Sequence, residues 1–219
     1  SVTSAEGAIE KAESLGYEVL SYDKFPVESQ DLSPILNKVK QLNPDILLVS
    51  AHIKETILAT KQIKELKIAP KILAMSFGPT TNDYVNALQA DADYVWGPTQ
   101  WTNDAPYQDE LFGTAEQYTA EFRERFGYIP DYAVAEASAA GYIYQKAIER
   151  AQSTEATAVR DALRDMELDT FIGPVAFHEN GTNRMIQGAV VQIQDGNWIT
   201  VFPTGMDRVI YPFPGWNGR

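Results

Sequence analysis

The chain has 219 residues, of which 44% are hydrophobic and 22% are charged, a composition typical of a globular protein with one large or two small domains. Its 30 Asp and Glu residues against 18 Lys and Arg give a formal net charge of −12, which disfavours binding to nucleic acid and to anionic lipid. The absence of cysteine excludes disulfides, thiolate metal sites and cysteine nucleophiles.

The chain opens in an amphipathic helical pattern rather than in a leader sequence. Ala5, Ala8, Ile9 and Ala12 recur at helical spacing, and no apolar run approaches the ~20 residues that a membrane-spanning helix needs. An α/β domain usually begins with a strand. We therefore expect the chain to be a fragment whose preceding segment is missing.

Helical and strand patterns alternate through the first 98 residues. A helix is predicted at the start of the chain, another around Ile35 to Leu42, and further helices over residues 54–67 and 82–89. Strands are predicted over residues 17–22, 46–49, 71–75 and 94–96. The continuous apolar run of residues 46–49 predicts a strand covered on both faces. Such alternation is typical of βαβ units and a parallel sheet.

The second half begins with a polar crossing segment over residues 99–112. Helices are predicted over residues 113–126, 132–150 and 156–167, followed by a short strand over residues 173–177. Two strands, residues 188–193 and 198–202, flank the turn signal Asp195-Gly196-Asn197 and predict a hairpin. The tail over residues 211–216 is too rich in proline for a central strand.

The sequence lacks the usual catalytic motifs. Its two histidines, His52 and His178, lie in different segments, and no nucleophile elbow, metalloprotease motif or phosphate-binding glycine loop occurs. Asp91 and Asp93 are close in sequence, but a loop before a strand explains them. The residues thus predict neither an enzyme nor a metal or cofactor site.

Several stretches resemble the type I periplasmic (extracellular) substrate-binding proteins of ABC transporters, in the leucine/isoleucine/valine-binding family. Each stretch is a weak motif, but their order and spacing over nearly the whole chain are specific. The stretches cover residues 1–19, 30–34, 43–46, 118–127, 130–132, 159–163, 169–175 and 177–181.

The resemblance implies a fold and a division of the chain. The fold class is α/β, with two lobes that are each a parallel-sheet sandwich, joined by three crossing strands, and with ligand bound between the lobes. Residues 1–98 with 187–219 would form the second ligand-binding lobe. Residues 99–186 would be the crossing segment and the helical remainder of a first lobe whose N-terminal part is missing.

The resemblance also implies ligand contacts after two strands. His52 falls where the family places an aromatic contact, with a solvent-facing loop histidine as the alternative. Ser76 falls where amino-acid binders place an acid that pairs with the ligand's ammonium group. A buried ammonium group needs a charged partner. Either another acid, such as Glu136 or Asp83, supplies that charge, or the ligand is not a zwitterion.

Aromatic and helical residues complete the expected contacts. Phe77 and Trp101 offer flat apolar walls, although Phe77 and Trp96 could instead pack in a core or hinge. Tyr132, Ala133 and Val134 match a further family contact at the start of an alanine-rich helix, whose backbone N–H groups could bind a carboxylate. Trp96 and Tyr107 are expected near the same walls.

The function that the resemblance implies is that of a solute-binding receptor of an ABC importer. It would capture a small amino acid or an organic acid, aromatic acids included, by hinge closure, and deliver it to a membrane permease. Its location would be periplasmic or extracellular, lipid-anchored or secreted. The alternatives are a ligand-sensing domain of a receptor on the same fold and, least favoured, an α/β enzyme. Exposed helix faces within residues 113–167 suggest a homodimer.

Overall fold

A computed structural model describes residues 2–217, which fold as two compact units. The first unit runs up to Pro98 and resumes at Val190, and the second comprises Thr99–Ala189. The helices are α1 (Val2–Ser14), α2 (Ser33–Leu42), α3 (Ile53–Glu65), α4 (Asn82–Leu88), α5 (Ala115–Phe126), α6 (Tyr132–Ala151) and α7 (Ala156–Arg164). The strands are β1 (Ile46–Val49), β2 (Ile72–Met75), β3 (Trp96–Thr99), β4 (Gln108–Asp109), β5 (Gly113–Thr114), β6 (Glu167–Thr170), β7 (Gly173–Ala176), β8 (Ala189–Gln194) and β9 (Asn197–Phe202).

The first unit is built on a five-stranded mixed sheet in the order β1-β2-β3-β8-β9. Strands β1 and β2 are parallel, with Ile46 opposite Ile72 and Val49 opposite Met75, and β2 is also parallel to β3. Strands β8 and β9 form the predicted antiparallel hairpin. The α/β fold class predicted from the alternating patterns is confirmed.

The core of this unit lies where the helices cover the sheet. Leu73 and Met75 of β2 are fully buried, together with Ile63 of α3 and Tyr84 of α4. The Tyr84 hydroxyl lies 2.6 Å from Thr60 Oγ1, so this buried polar group is hydrogen-bonded as burial requires. Burial raises the pKa of the Tyr84 phenol, which therefore stays neutral.

The prediction of a strand over residues 17–22 is wrong, because these residues form no strand. Tyr17, Leu20 and Tyr22 are exposed. A strand needs a neighbour to take up its N–H and C=O groups. Within residues 2–217 the first strand of the sheet, β1, pairs only with β2. Residues 17–22 do not add to the edge of the sheet beside β1, so their alternating pattern does not become a strand.

The prediction that β1 is covered on both faces is also wrong. Ile46 and Leu48 are each 44% exposed, whereas Val49 is buried. The apolar run correctly predicted the strand and its bounds, but periodicity alone does not say what covers each face. Downstream, β3 begins two residues later than the strand start predicted at Tyr94, and the helix predicted to residue 167 ends at Arg164.

The second unit packs α5, α6 and α7 with two small antiparallel pairs, β4-β5 and β6-β7. Its core contains Phe171, which is fully buried and stacks on Tyr118 with ring centroids 4.3 Å apart. The Asp109 carboxylate links the segment between β4 and β5 to the segment between β6 and β7. One of its oxygens accepts a hydrogen bond from Phe112 N at 2.7 Å, and the other accepts one from Phe171 N at 2.9 Å. Small residues on α6, including the fully buried Ala135 and Ala139, let the helix approach this aromatic cluster closely.

We predict that Leu73→Ala destabilises the protein by about 2–5 kcal/mol, because it leaves a cavity in a buried strand. The same substitution at Leu48, in the neighbouring strand but 44% exposed, is the matched control and should cost less than about 1 kcal/mol. Urea unfolding followed by circular dichroism measures both. Equal losses for the two variants would contradict the core described above.

Candidate functional site

Three of the predicted site residues meet at one edge of the first unit's sheet. Strands β1 and β2 are parallel, so the loops after their carboxyl ends lie side by side. The Ser76 N–H donates to Val49 O at 3.0 Å and joins the two loops. The rings of His52 and Phe77 have centroids 6.3 Å apart. The structure thus brings His52, Ser76 and Phe77 together.

The side chains at this edge face solvent rather than the core. His52 is exposed, Ser76 is half-buried and Phe77 is 45% exposed. Phe77 therefore does not pack in the buried core, which was the alternative interpretation from the sequence. A ring, an imidazole and a hydroxyl available to solvent can contact an amphipathic small molecule.

Gly78 holds the loop that carries Phe77. Its φ of +103° is one that side chains with a Cβ rarely adopt, and a Cβ here would meet the Thr56 hydroxyl and approach the Tyr84 ring to 2.8 Å. The backbone after Phe77 is therefore pressed against α3 and α4. This close packing fixes the position from which Phe77 projects.

The acids near this edge have other roles. Glu55, in the first turn of α3, is buried, and its Oε1 accepts a hydrogen bond from Glu28 N at 2.9 Å. That backbone hydrogen bond lowers the pKa of the Glu55 carboxyl, and it outweighs the opposing effect of burial. Asp83, considered from the sequence as a charge partner, is exposed in the first turn of α4.

In the second unit, the predicted residues Tyr132, Ala133 and Val134 form the first turn of α6. Asp131 is the N-cap, and its Oδ1 accepts a hydrogen bond from Val134 N at 3.1 Å. Tyr132 and Val134 are half-buried, and Ala133 is exposed. The Asp131 carboxylate thus occupies the Val134 N–H, and a ligand contact at this helix start stays a prediction.

Trp101 lies in the aromatic core of the second unit. It is 5% exposed and makes edge-on contacts with Tyr118 and Phe171, each at 6.0 Å between ring centroids. Its buried Nε1 has no hydrogen-bond partner in the described part of the chain. Its role as a ligand contact stays a prediction.

Glu136 lines a pocket in the second unit, one turn beyond Tyr132. Burial raises the pKa of its carboxyl above the ordinary glutamate value. Across the pocket, the Tyr107 hydroxyl donates to Gln187 Oε1 at 3.2 Å. The pocket is lined by Gln100, Tyr107, Glu136, Ile172, Gly173, Pro174, Val175, Asn183, Met185, Ile186 and Gln187.

Sequence reasoning missed three polar residues of this pocket: Gln100, Asn183 and Gln187. Gln100 follows β3, whereas Asn183 and Gln187 precede β8, so more than 80 positions separate them along the chain. The one available signal is that Gln187 directly precedes the strand predicted over residues 188–193, whereas Gln100 follows only the observed end of β3. Within residues 2–217, no group of three or more His, Asp or Glu side chains could hold a metal ion, and no helix is long and apolar enough to cross a membrane.

A family profile described as periplasmic binding protein matches residues 1–197. The chain belongs to this family. A curated relative, the Leu/Ile/Val-binding protein homolog 7 of Brucella abortus, is 22% identical over 198 residues, which are 86% of this chain and 48% of the relative. The chain thus spans about half the length of the curated relatives that it matches.

Solved structures show the same fold. A leucine binding protein, LivK, from Thermotoga maritima matches with a TM-score of 0.75 at 19% identity, over 88% of this chain and 53% of that one. An ABC transporter solute binding protein from R. palustris, in complex with benzoate, matches with a TM-score of 0.73 at 13% identity, over 88% and 52%. The resemblance to type I periplasmic binding proteins inferred from the sequence is confirmed.

We predict that Gly78→Ala destabilises the protein by about 1–3 kcal/mol, because the added Cβ is strained by its φ and overlaps α3 and α4. Gly141→Ala is the matched control. It lies within α6 with no atom within 4 Å of the new Cβ and should stabilise the helix by about 0.5–1 kcal/mol. Chemical denaturation of the two variants tests this difference, and a tolerated Gly78 variant would contradict it.

We predict that Glu136→Gln raises the melting temperature at pH 7 by about 1–3 °C. The raised pKa means that the folded state holds its proton more tightly than the unfolded chain. That stabilisation is present below the unfolded pKa and is lost as pH rises through the folded one. Because Glu136 is only half-buried, solvent screening keeps the effect small.

The check is a melting curve at pH 7 and at pH 3.5. The gain from Glu136→Gln should vanish at the lower pH, where both side chains are neutral. Glu124→Gln, at an exposed position on α5, should change neither curve. A lower melting temperature for the Glu136 variant at pH 7 would show that the carboxylate stabilises the fold.

Proposed function

We propose that this chain is part of a solute-binding receptor of an ABC importer, which captures an amino acid or an organic acid and delivers it to a membrane permease. Membership of the periplasmic binding protein family supports this proposal. So do the names of similar proteins, one a leucine binding protein and one in complex with benzoate. The chain performs no catalysis in this proposal and needs no cofactor.

The observation that carries the proposal is the cluster of His52, Ser76 and Phe77. It lies at the carboxyl ends of two adjacent parallel strands, where open α/β sheets bind ligands on general grounds. The exposed Phe77 ring and the His52 imidazole can cover the apolar part of a ligand, and the Ser76 hydroxyl can bond to a polar group. We expect Trp101, Tyr132, Ala133, Val134 and Glu136 of the second unit to contribute further contacts.

In this proposal the ligand is held by two lobes, and the unit that ends at Pro98 and resumes at Val190 is the second ligand-binding lobe. Hinge closure would couple binding to transport, because a receptor of this kind works through a difference in ligand affinity between open and closed states. Such a receptor acts outside the cytoplasmic membrane, in the periplasm or at the cell surface. The homodimer suggested by the helix patterns stays a prediction.

The test is a thermal-shift screen of the full-length protein with amino acids, aromatic acids including benzoate, and short dicarboxylates. A ligand that binds only the native state raises the melting temperature by mass action. We expect at least one compound to do so. No shift with any compound, in a protein that melts cooperatively, would contradict the proposal.

Variants then locate the site. Phe77→Ala and His52→Ala should each weaken the ligand found in the screen by about tenfold or more, because each removes a contact surface exposed at the sheet edge. Phe126→Ala removes a ring that is 53% exposed in the second unit and serves as the control. Calorimetric titration measures all three. Unchanged affinity in the Phe77 and His52 variants would place the site elsewhere.

A further inference from the structure

We propose that the hydroxyl pair of Tyr84 and Thr60 positions the loops that carry His52 and Phe77, so that two residues beneath the candidate site set its affinity for a solute. Both residues lie in the first unit and are fully buried, and they therefore do not touch a solute themselves. This inference rests on the function proposed above and adds a positioning pair to its site.

The pair joins two helices at the end of β2. Thr60 lies in α3 and Tyr84 in the first turn of α4, and their hydroxyl oxygens are 2.6 Å apart. Met75, the last residue of β2, places its sulfur 3.6 Å from the Thr60 hydroxyl and 3.5 Å from the Tyr84 hydroxyl. Ser76 of the candidate site follows directly. The hydroxyl pair thus lies against the strand end from which the Phe77 loop starts.

The Thr60 hydroxyl connects the pair to His52. It donates to Thr56 O at 2.9 Å, one turn nearer the start of α3. A hydroxyl has one proton and a thioether sulfur is a weak acceptor, so the Tyr84 hydroxyl is the donor to Thr60. The Thr56 N–H in turn donates to the carbonyl of His52, the N-cap residue, at 2.9 Å. A series of hydrogen bonds through Thr56 therefore links α4 to the residue that precedes α3.

The Tyr84 ring supports the loop that carries Phe77. A Cβ at Gly78 would approach the ring to 2.8 Å, so the backbone of this loop lies directly against it. The main-chain N–H and the hydroxyl of Thr81, the N-cap of α4, both donate to Gly78 O at 2.8 Å. Tyr84 N donates to the Thr81 hydroxyl at 3.4 Å. Tyr84 thus holds the loop through its ring and through its main chain, while its hydroxyl bonds to α3.

Stability alone does not explain a hydroxyl pair at this place. A buried hydrogen bond contributes little net stability, and an apolar pair of the same shape is about as stable. A satisfied polar pair instead holds its helices in one arrangement, because a shift leaves a buried hydroxyl unbonded. The rings of His52 and Phe77, whose centroids are 6.3 Å apart, keep their spacing by this means. A displacement of about 1 Å at a binding site can cost about tenfold or more in affinity.

The experiment measures affinity and stability separately on the full-length protein. The probe is the compound that raises the melting temperature of the wild type most among leucine, phenylalanine, benzoate, succinate and the rest of the screen described above. Tyr84→Phe and Thr60→Val each remove one hydroxyl. Each should weaken binding of the probe about tenfold in calorimetric titration at a temperature far below the melting transition. Thr60→Ser keeps the hydroxyl and should stay within about twofold of the wild type.

The double variant Tyr84→Phe with Thr60→Val separates position from stability. It should recover most of the melting temperature that either single variant loses, because no hydroxyl is left unbonded, yet its binding should stay about tenfold weaker. Ile63→Val is the matched control, since it removes one methylene group from a fully buried residue of α3 and leaves the hydroxyl pair intact. It should lower the melting temperature by about 2–4 °C and leave the affinity within about twofold.

Wild-type affinity in the Tyr84→Phe and Thr60→Val variants would overturn the positioning role while the receptor function stands. Equally weakened binding by Ile63→Val would also overturn it, because affinity would then follow stability rather than the hydroxyl pair. If no compound of the screen binds the folded wild type, the receptor function fails and the positioning role fails with it.

Discussion

The parallel pairing of β1 with β2 is the constraint on which the candidate site depends. Parallel strands end at the same edge of a sheet, so the loops that follow them must lie together. In this protein a main-chain hydrogen bond from Ser76 to Val49 sets the spacing of the loops that carry His52 and Phe77. The core beneath, centred on Leu73 and Met75, keeps the strands in register. The position of the site is thus fixed by the sheet rather than by the loops themselves.

The carboxylates of the two units are arranged differently. In the first unit, the Glu55 carboxylate accepts a hydrogen bond from the main-chain N–H of Glu28. In the second, Glu136 stays half-buried without an ion pair in the part of the chain that the structure describes. An uncompensated charge in a pocket lowers stability in exchange for the ability to bind a complementary group.

Helices and strands whose residue spacing follows from the burial of one face were predicted correctly from the sequence. The apolar run of β1 and the helical periodicity of α3 and α6 gave correct elements, because burial of one face requires that spacing. Residues 17–22 alternate like a strand but form none, and Leu48 is exposed in a run that looks fully buried. Both errors concern which other segments pack against a given segment. The residues of that segment alone do not determine this.

The residues of the candidate sites also fall into those that the sequence predicts and those that it does not. His52 and Ser76 could be named from the sequence because the family resemblance assigns contacts to the segments that follow two recognisable strands. Gln100 and Gln187 could not, because more than 80 residues separate two glutamines that carry no motif. Glu136 was recognised as a candidate, but its significance depends on burial, which appears only in the folded chain. Long-range proximity and desolvation are therefore the two properties that the structure adds.

The packing of Gly78 bears on how a receptor of the proposed kind could diversify. The backbone at this position is anchored against α3 and α4, while the neighbouring Phe77 side chain stands 45% exposed. Exchange of that ring for another side chain would alter the surface offered to a solute without disturbing the interior. A lineage could thus acquire new substrates through replacements at one residue while the sheet and its helices were inherited unchanged.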